Sequence, residues 1–202
     1  MRILSVSDFT VPELTDRFDR ERFGRIDTLL ACGDLQPRYL LSLVRKFGVP
    51  LYYVMGNHDL NYDSVSLYGC TNLDNSIVKV QGLNFLGLEG SNWYNGGINQ
   101  YTDRQMRLKI RNLTMKIWMK GGVDIVATHA PPRNVHDAED RCHRGFESFH
   151  KLIRKHSPKY LVHGHIHAHF SDPSERVTRI GRTDVVNTCG YHILEVDNEH
   201  NR

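Results

Sequence analysis

Short apolar runs of strand length recur along the chain, set between polar and glycine-bearing segments. RILSVS, DTLLAC, PLYYVM, SIVKV, LNFLGL, VDIVATH and KYLVHGH come first; RVTRI, TDVVN and YHILEV close the series. Several are nearly continuous in Val, Ile and Leu, the pattern of strands covered on both faces. Between them lie stretches of helical period. Pro37 to Gly48 begins with proline, stops at glycine, and sets Leu40, Leu43, Val44 and Phe47 on one face. Thr102 to Gly121 opens with a capping box, Thr102 with Gln105, and strings Met106, Ile110, Leu113 and Ile117 along one stripe. Phe146 to Ser157 groups Phe146, Phe149 and Ile153, and Pro158 follows. Strands and helices alternate early, and the last three strands look hairpin-linked. The pattern predicts an α/β protein with mixed strand directions.

The polar residues that end these runs sharpen the picture. RILSVS runs into Asp8, DTLLAC through Gly33 into Asp34, and PLYYVM through Gly56 into Asn57, His58 and Asp59. VDIVAT runs into His129, and KYLV through His163 and Gly164 into His165 and His167. A lone aspartate after a strand is usually a turn former or a helix cap. Five strand ends with oxygen or imidazole donors are harder to assign to turns alone. The carboxyl ends of strands in an α/β sheet lie along one edge, where ligands bind. HGHIHAHF also alternates four histidines, His163, His165, His167 and His169, which an extended chain would point to one face. Carboxylate, amide and imidazole without thiolate suit a borderline-hard divalent ion: Mn, Fe, Zn or Ni.

Composition narrows the classes without choosing among them. A length of 202 residues suits one domain, 1–202, with a substantial core. A net charge of +3 gives little reason to expect a basic groove for nucleic acid. Cys32, Cys70, Cys142 and Cys189 form no C-x-x-C pair, so neither a zinc ribbon nor a disulfide framework is expected. The apolar start MRILSVSDF meets Asp8 too soon for a signal peptide, and no apolar run approaches the ~20 residues of a membrane span. A cytoplasmic protein is the expectation.

CGDL, MGNHDL, THAPP and HGHIH, taken in order, resemble the motifs of the calcineurin-like metallophosphoesterase family over roughly Met1 to His169. The resemblance implies a four-layer α-β-β-α sandwich with two mixed β-sheets. It implies one or two divalent metal ions, with Asp34 bridging them. Asn57, His129 and His165 would complete one site, and Asp8 and His167 would belong to the other. His58 would face the substrate phosphate and its leaving oxygen, with Asp59 beside it to orient the ring. The first motif departs from the family: SDFT carries Thr10 where the family usually has histidine. The second metal site is therefore expected to be weakened, and His169 or His192 is the nearest replacement donor.

The reaction so implied is hydrolysis of a phosphodiester or phosphomonoester by a metal-bound hydroxide, with the diester slightly favoured. Substrate choice would lie in loops above the metals. The loop APPRNVHDAEDRCHRG offers Arg133, His136 and His143 for a phosphate, and Trp93 or Tyr94 could stack on a nucleotide base. The expected partner is a small phosphorylated substrate, not a membrane or a nucleic acid. Two other readings stay open: a non-catalytic scaffold, since one retromer subunit is similar in fold, and a nuclease.

Overall fold

The protein is described by a computed structural model covering residues 1–59, 67 and 69–197. Its first half runs β1 (Arg2–Ser7), α1 (Arg20–Phe23), β2 (Thr28–Cys32), α2 (Pro37–Phe47), β3 (Leu51–Val54), β4 (Thr71–Asn72), β5 (Ile77–Val80), β6 (Leu83–Leu88) and β7 (Ser91–Asn92). The second half runs β8 (Gln100–Tyr101), α3 (Asp103–Met119), β9 (Ile125–Thr128), α4 (Glu147–His156), β10 (Tyr160–His163), β11 (Val177–Ile180), β12 (Thr183–Asn187) and β13 (Gly190–Glu195). All ten apolar runs become strands, and the three helical stretches become α2, α3 and α4.

Two mixed sheets face each other. One has the order β13-β1-β2-β3-β4, parallel except for β13; the other has the order β11-β12-β10-β9-β6-β5, with antiparallel edges β11 and β5. The inner layer is shared: Ile3, Leu30, Cys32 and Val54 of the first sheet meet Phe85, Ile125, Ala127 and Val162 of the second. The alternate residues turn outward, as a period of two requires. Leu4, Val6, Leu29 and Ala31 pack under α2, while Leu86, Val126, Leu161 and Val185 pack under α3 and α4. The result is a four-layer α-β-β-α sandwich. Strands buried on both faces explain why these segments read as unbroken apolar runs.

Helix ends follow local chemistry. Pro37 sits in the first turn of α2, and Gly48 closes it in a left-handed conformation. Thr102 accepts from the Gln105 backbone N–H at the start of α3, and the Gln105 side chain returns the bond, so the expected capping box is present. One connection differs from expectation. β11 and β12 form a hairpin, but β13 leaves that sheet and pairs antiparallel with β1 in the other. The break falls at Thr188 and Cys189: Thr188 N–H bonds to the His163 carbonyl, its hydroxyl donates to Ser5 Oγ, and Gly190 takes a φ of 75°. A crossover between sheets has no local signature, because both strands are equally apolar. Among the described residues no helix is long and apolar enough to cross a membrane.

Candidate metal centre

Parallel strands bring β1, β2 and β3 to one edge of their sheet and β9 and β10 to the same end of the other. There the chain reverses abruptly. Asp8, Asp34 and His165 have φ of 68°, 57° and 68°, a left-handed region sparsely populated by residues with side chains. Each costs of order 1–3 kcal/mol, and such conformations gather at functional sites. The turn at His165 also settles the histidine alternation. β10 ends at His163, so the four rings do not share a face. His163 is buried against His136, His165 enters the cluster, His167 lies exposed beside Asp8, and His169 is exposed.

Asp34, His129 and His165 each offer a ligand atom within 4.8 Å of the others. Asn57 joins them, its Oδ1 lying 3.1 Å from His129 Nε2, with Asp34 Oδ2 at 3.4 Å. Ring orientation follows from second partners. His129 Nδ1 is 2.8 Å from the Cys32 carbonyl, which only an N–H can satisfy, so Nε2 is presented to the cluster. His165 Nε2 lies 2.8 Å from the Cys142 carbonyl, which by the same logic leaves Nδ1 as its lone-pair nitrogen. His129 Nε2 thus faces two oxygens, an arrangement that calls for a positive centre. The electrostatics agree. Burial opposes charge on His129, but Asp34 and Asp8 overcome it and carry the imidazole up to about 9. Burial also works against the Asp34 charge, yet His129 and the His58 N–H bring its carboxyl down to about 2. Burial, reinforced by His129, pushes His165 down to about 3 and keeps it neutral, the form that binds metals. A carboxylate, an amide oxygen and two oriented imidazoles fit a divalent transition ion.

Asp8 and His167 form a second pair alongside, Oδ1 to Nε2 at 3.6 Å. Asp8 also accepts from Ser7 Oγ at 2.6 Å and from the His165 N–H at 2.9 Å. Thr10 is exposed. Among the described residues, neither suggested replacement, His169 or His192, makes a hydrogen bond or ion pair with Asp8. His192 sits on β13, where burial, with Arg176 nearby, pushes it down to about 4.

Several expected roles change. Among the described residues Asp59 makes no hydrogen bond to the His58 ring. Its carboxylate accepts three backbone N–H groups, from Gly56 at 2.7 Å, Asp34 at 2.9 Å and Leu35 at 3.2 Å, and so clamps the β2 and β3 turns together. An acidic residue next to a candidate histidine cannot reveal this, because the acceptor faces main-chain groups distant in sequence. Burial raises the Asp59 carboxyl to about 6, with Asp34 adding to the effect. Asp59→Ala should strand those amides and cost about 3 kcal/mol or more. A fall in the urea midpoint at unchanged m would register it, and an unmoved midpoint would dismiss the clamp.

Among the three loop residues expected to bind substrate, Arg133 is held within its own loop, by Asp137 at 2.7 Å and Glu139 at 2.8 Å. His136 turns away from the cluster, lying 2.9 Å from His163 Nε2 and 2.8 Å from Thr178 Oγ1. Only His143 reaches the rim, its ring 5.2 Å from that of His165 and its Nδ1 on Asp140. The Cys142 carbonyl and the Ser7 hydroxyl carry no sign of their roles in the sequence. Neither has a motif, since a carbonyl belongs to every residue and Ser7 reads as part of β1. Tyr94 reaches Asn57 through its hydroxyl, 3.1 Å from Asn57 Nδ2.

Residues 1–169 match the profile of the family described as calcineurin-like phosphoesterase. The uncharacterized protein MJ1162 of Methanocaldococcus jannaschii is 29% identical over 191 residues, covering 87% of this chain and 83% of that protein. The fold is similar to that of TT1561 of Thermus thermophilus, with a TM-score of 0.62 and 16% identity over 93% of this chain and 88% of the other. It is also similar to the calcineurin-like phosphoesterase YfkN from Bacillus subtilis, with a TM-score of 0.59 and 13% identity over 98% and 86% of the two chains. At such identities these two structures speak for the fold alone.

Proposed function

Since the chain belongs to the calcineurin-like phosphoesterase family, we propose that it is a metal-dependent hydrolase acting on a small phosphorylated substrate. The observation that supports this reading is the convergence of Asp34, His129 and His165, with Asn57 beside them, from four strand ends of two sheets. Those four side chains would hold one divalent ion, and Asp34 with Asp8 and His167 a second. A cation held there would lower the pKa of the attacking water and neutralise charge on the phosphoryl oxygens.

The protein's own groups do the rest. His58 is exposed at the mouth, its backbone N–H fixed on Asp34 Oδ1 at 2.9 Å. Its ring makes no hydrogen bond among the described residues, which leaves it available to donate a proton to the departing oxygen. His143 and Tyr94 frame the same opening. Trp93, 53% exposed on the loop that carries Tyr94, offers a face for a base, so a nucleotide is among the candidate substrates.

The test is to strip metal, restore Mn, Ni, Zn, Fe or Mg singly, and assay a generic monoester and a generic diester in parallel. Hydrolysis with at least one ion is expected, and diester-only cleavage would make the protein a phosphodiesterase. No cleavage with any ion would replace the enzyme with a binding scaffold. Thr10→His restores the donor usual at that position in the family. It should raise bound Mn after dialysis toward about two ions per chain, read by elemental analysis; an unchanged content would mean that Thr10 does not limit the second site.

A further inference from the structure

α3 carries two apolar stripes, and the core uses only one. Met106, Ile110, Leu113 and Ile117 are buried against the sheet. Met115, Trp118 and Met119 lie outside at i, i+3 and i+4, and are 62%, 76% and 65% exposed. A surface helix normally shows water a polar back. Between the C-terminal half of α3 and the end of α4 runs a groove of about 1040 Å³, walled by Met115, Ile117, Trp118 and the main chain of Gly121 and Gly122. Arg111, Lys155 and His156 stand along it. Clustered exposed apolar side chains mark interaction sites, and tryptophan is enriched where binding energy concentrates.

The charge of this layer narrows the chemistry of an occupant. α3 has five lysines and arginines against one acid, and α4 three against one. Arg107 is paired with Asp103 and Lys109 with Asp74. Among the described residues Arg111, Lys151, Arg154 and Lys155 have no acidic partner. The dipoles at the helix C-termini favour cations in the last turns, which accounts for Arg154 and Lys155 but not for Arg111 or Lys151. A second copy of this chain on the same face would set this positive charge against itself. A membrane or a single-stranded nucleic acid would also meet cations beside a tryptophan; a groove between two helices, floored by aliphatic and methionine side chains, matches the ridge of a helix more closely than either. The groove also holds an unsatisfied group: His156 Nε2 is buried without a hydrogen-bond partner among the described residues.

We propose that the α3–α4 groove docks an acidic amphipathic helix of a partner protein, its apolar side chains on Trp118 and Met115 and its carboxylates on Arg111 and Lys155. This is the helix-in-groove mode, read through anchors at i, i+3, i+4 and i+7. The surface is carried by the outer helices and is independent of the metal centre.

The probe is a fluorescein-labelled helical peptide with leucines at those spacings and glutamates elsewhere, titrated against the full chain by anisotropy. Wild type should bind, Trp118→Ala and Arg111→Glu should each weaken binding at least tenfold, and the lysine version of the peptide should not bind. Trp118 is largely exposed, so its replacement leaves the core intact, and hydrogen exchange should show protection confined to the end of α3 and to α4. Equal binding by both variants, or by the lysine peptide, overturns the proposal. So does a poly-dT oligonucleotide or a phosphatidylserine vesicle that binds more tightly than the glutamate peptide and is lost in the same variants. A dimer in sedimentation that Trp118→Ala dissolves also overturns it, in favour of self-association.

Discussion

His58→Ala should lower turnover by about 10²–10⁴, the range for removal of a general acid, while the protein retains its metal. The main chain and the side chain of His58 do different work. Its backbone N–H donates to Asp34 Oδ1 and helps hold that carboxylate in the cluster. Alanine keeps this N–H. The imidazole alone is lost, and it is exposed at the mouth of the site rather than among the converging donors. Activity assays paired with elemental analysis separate the two contributions. Retained metal with lost turnover is the expected result; lost metal would make His58 a ligand.

Gly56→Ala should have the opposite signature, with metal and activity lost together. A Cβ at Gly56 would collide with Asp34 Oδ1 and come 2.8 Å from the Asp34 backbone nitrogen. Neither can yield easily. The Asp34 N–H is held by Asp59, which also holds the Gly56 N–H, and the Asp34 side chain is the carboxylate on which the cluster is built. Overpacking of this kind costs about 1–3 kcal/mol. Its larger effect is to push β2 and β3 apart and displace Asp34 and Asn57. Folded protein by circular dichroism, with weakened Mn binding in calorimetry, is the expected outcome. Normal affinity would show that the turns have slack. Gly33 faces the same constraint from the other side, where a Cβ would come 2.5 Å from His129 Nδ1.

The side chains that converge at the candidate site were legible and the groups around them were not, and residue chemistry explains the difference. Asp8, Asp34, Asn57, His129 and His165 each interrupt a buried strand with a polar side chain, and such an interruption is visible in one dimension. Asp59 looks equally functional in the sequence because it lies beside His58. Its three backbone bonds, however, are made to Gly56, Asp34 and Leu35, and the last two belong to another strand end. Arg133 reads as a phosphate grip, yet Asp137 and Glu139 already hold its guanidinium. The alternating histidines failed as a pattern because alternation holds only while the chain stays extended, and the left-handed turn at His165 ends it.

By itself the order of apolar and polar residues determined the strands, the three longer helices and the candidate donors at the strand ends, because each rests on a local period or a local interruption. Only the tertiary structure decided that β13 would join β1, that Cys142 would orient His165, and that Asp59 would serve the backbone. Those outcomes depend on contacts between segments far apart in sequence, and a hydrogen bond to a main-chain group leaves no mark on the residue that supplies it.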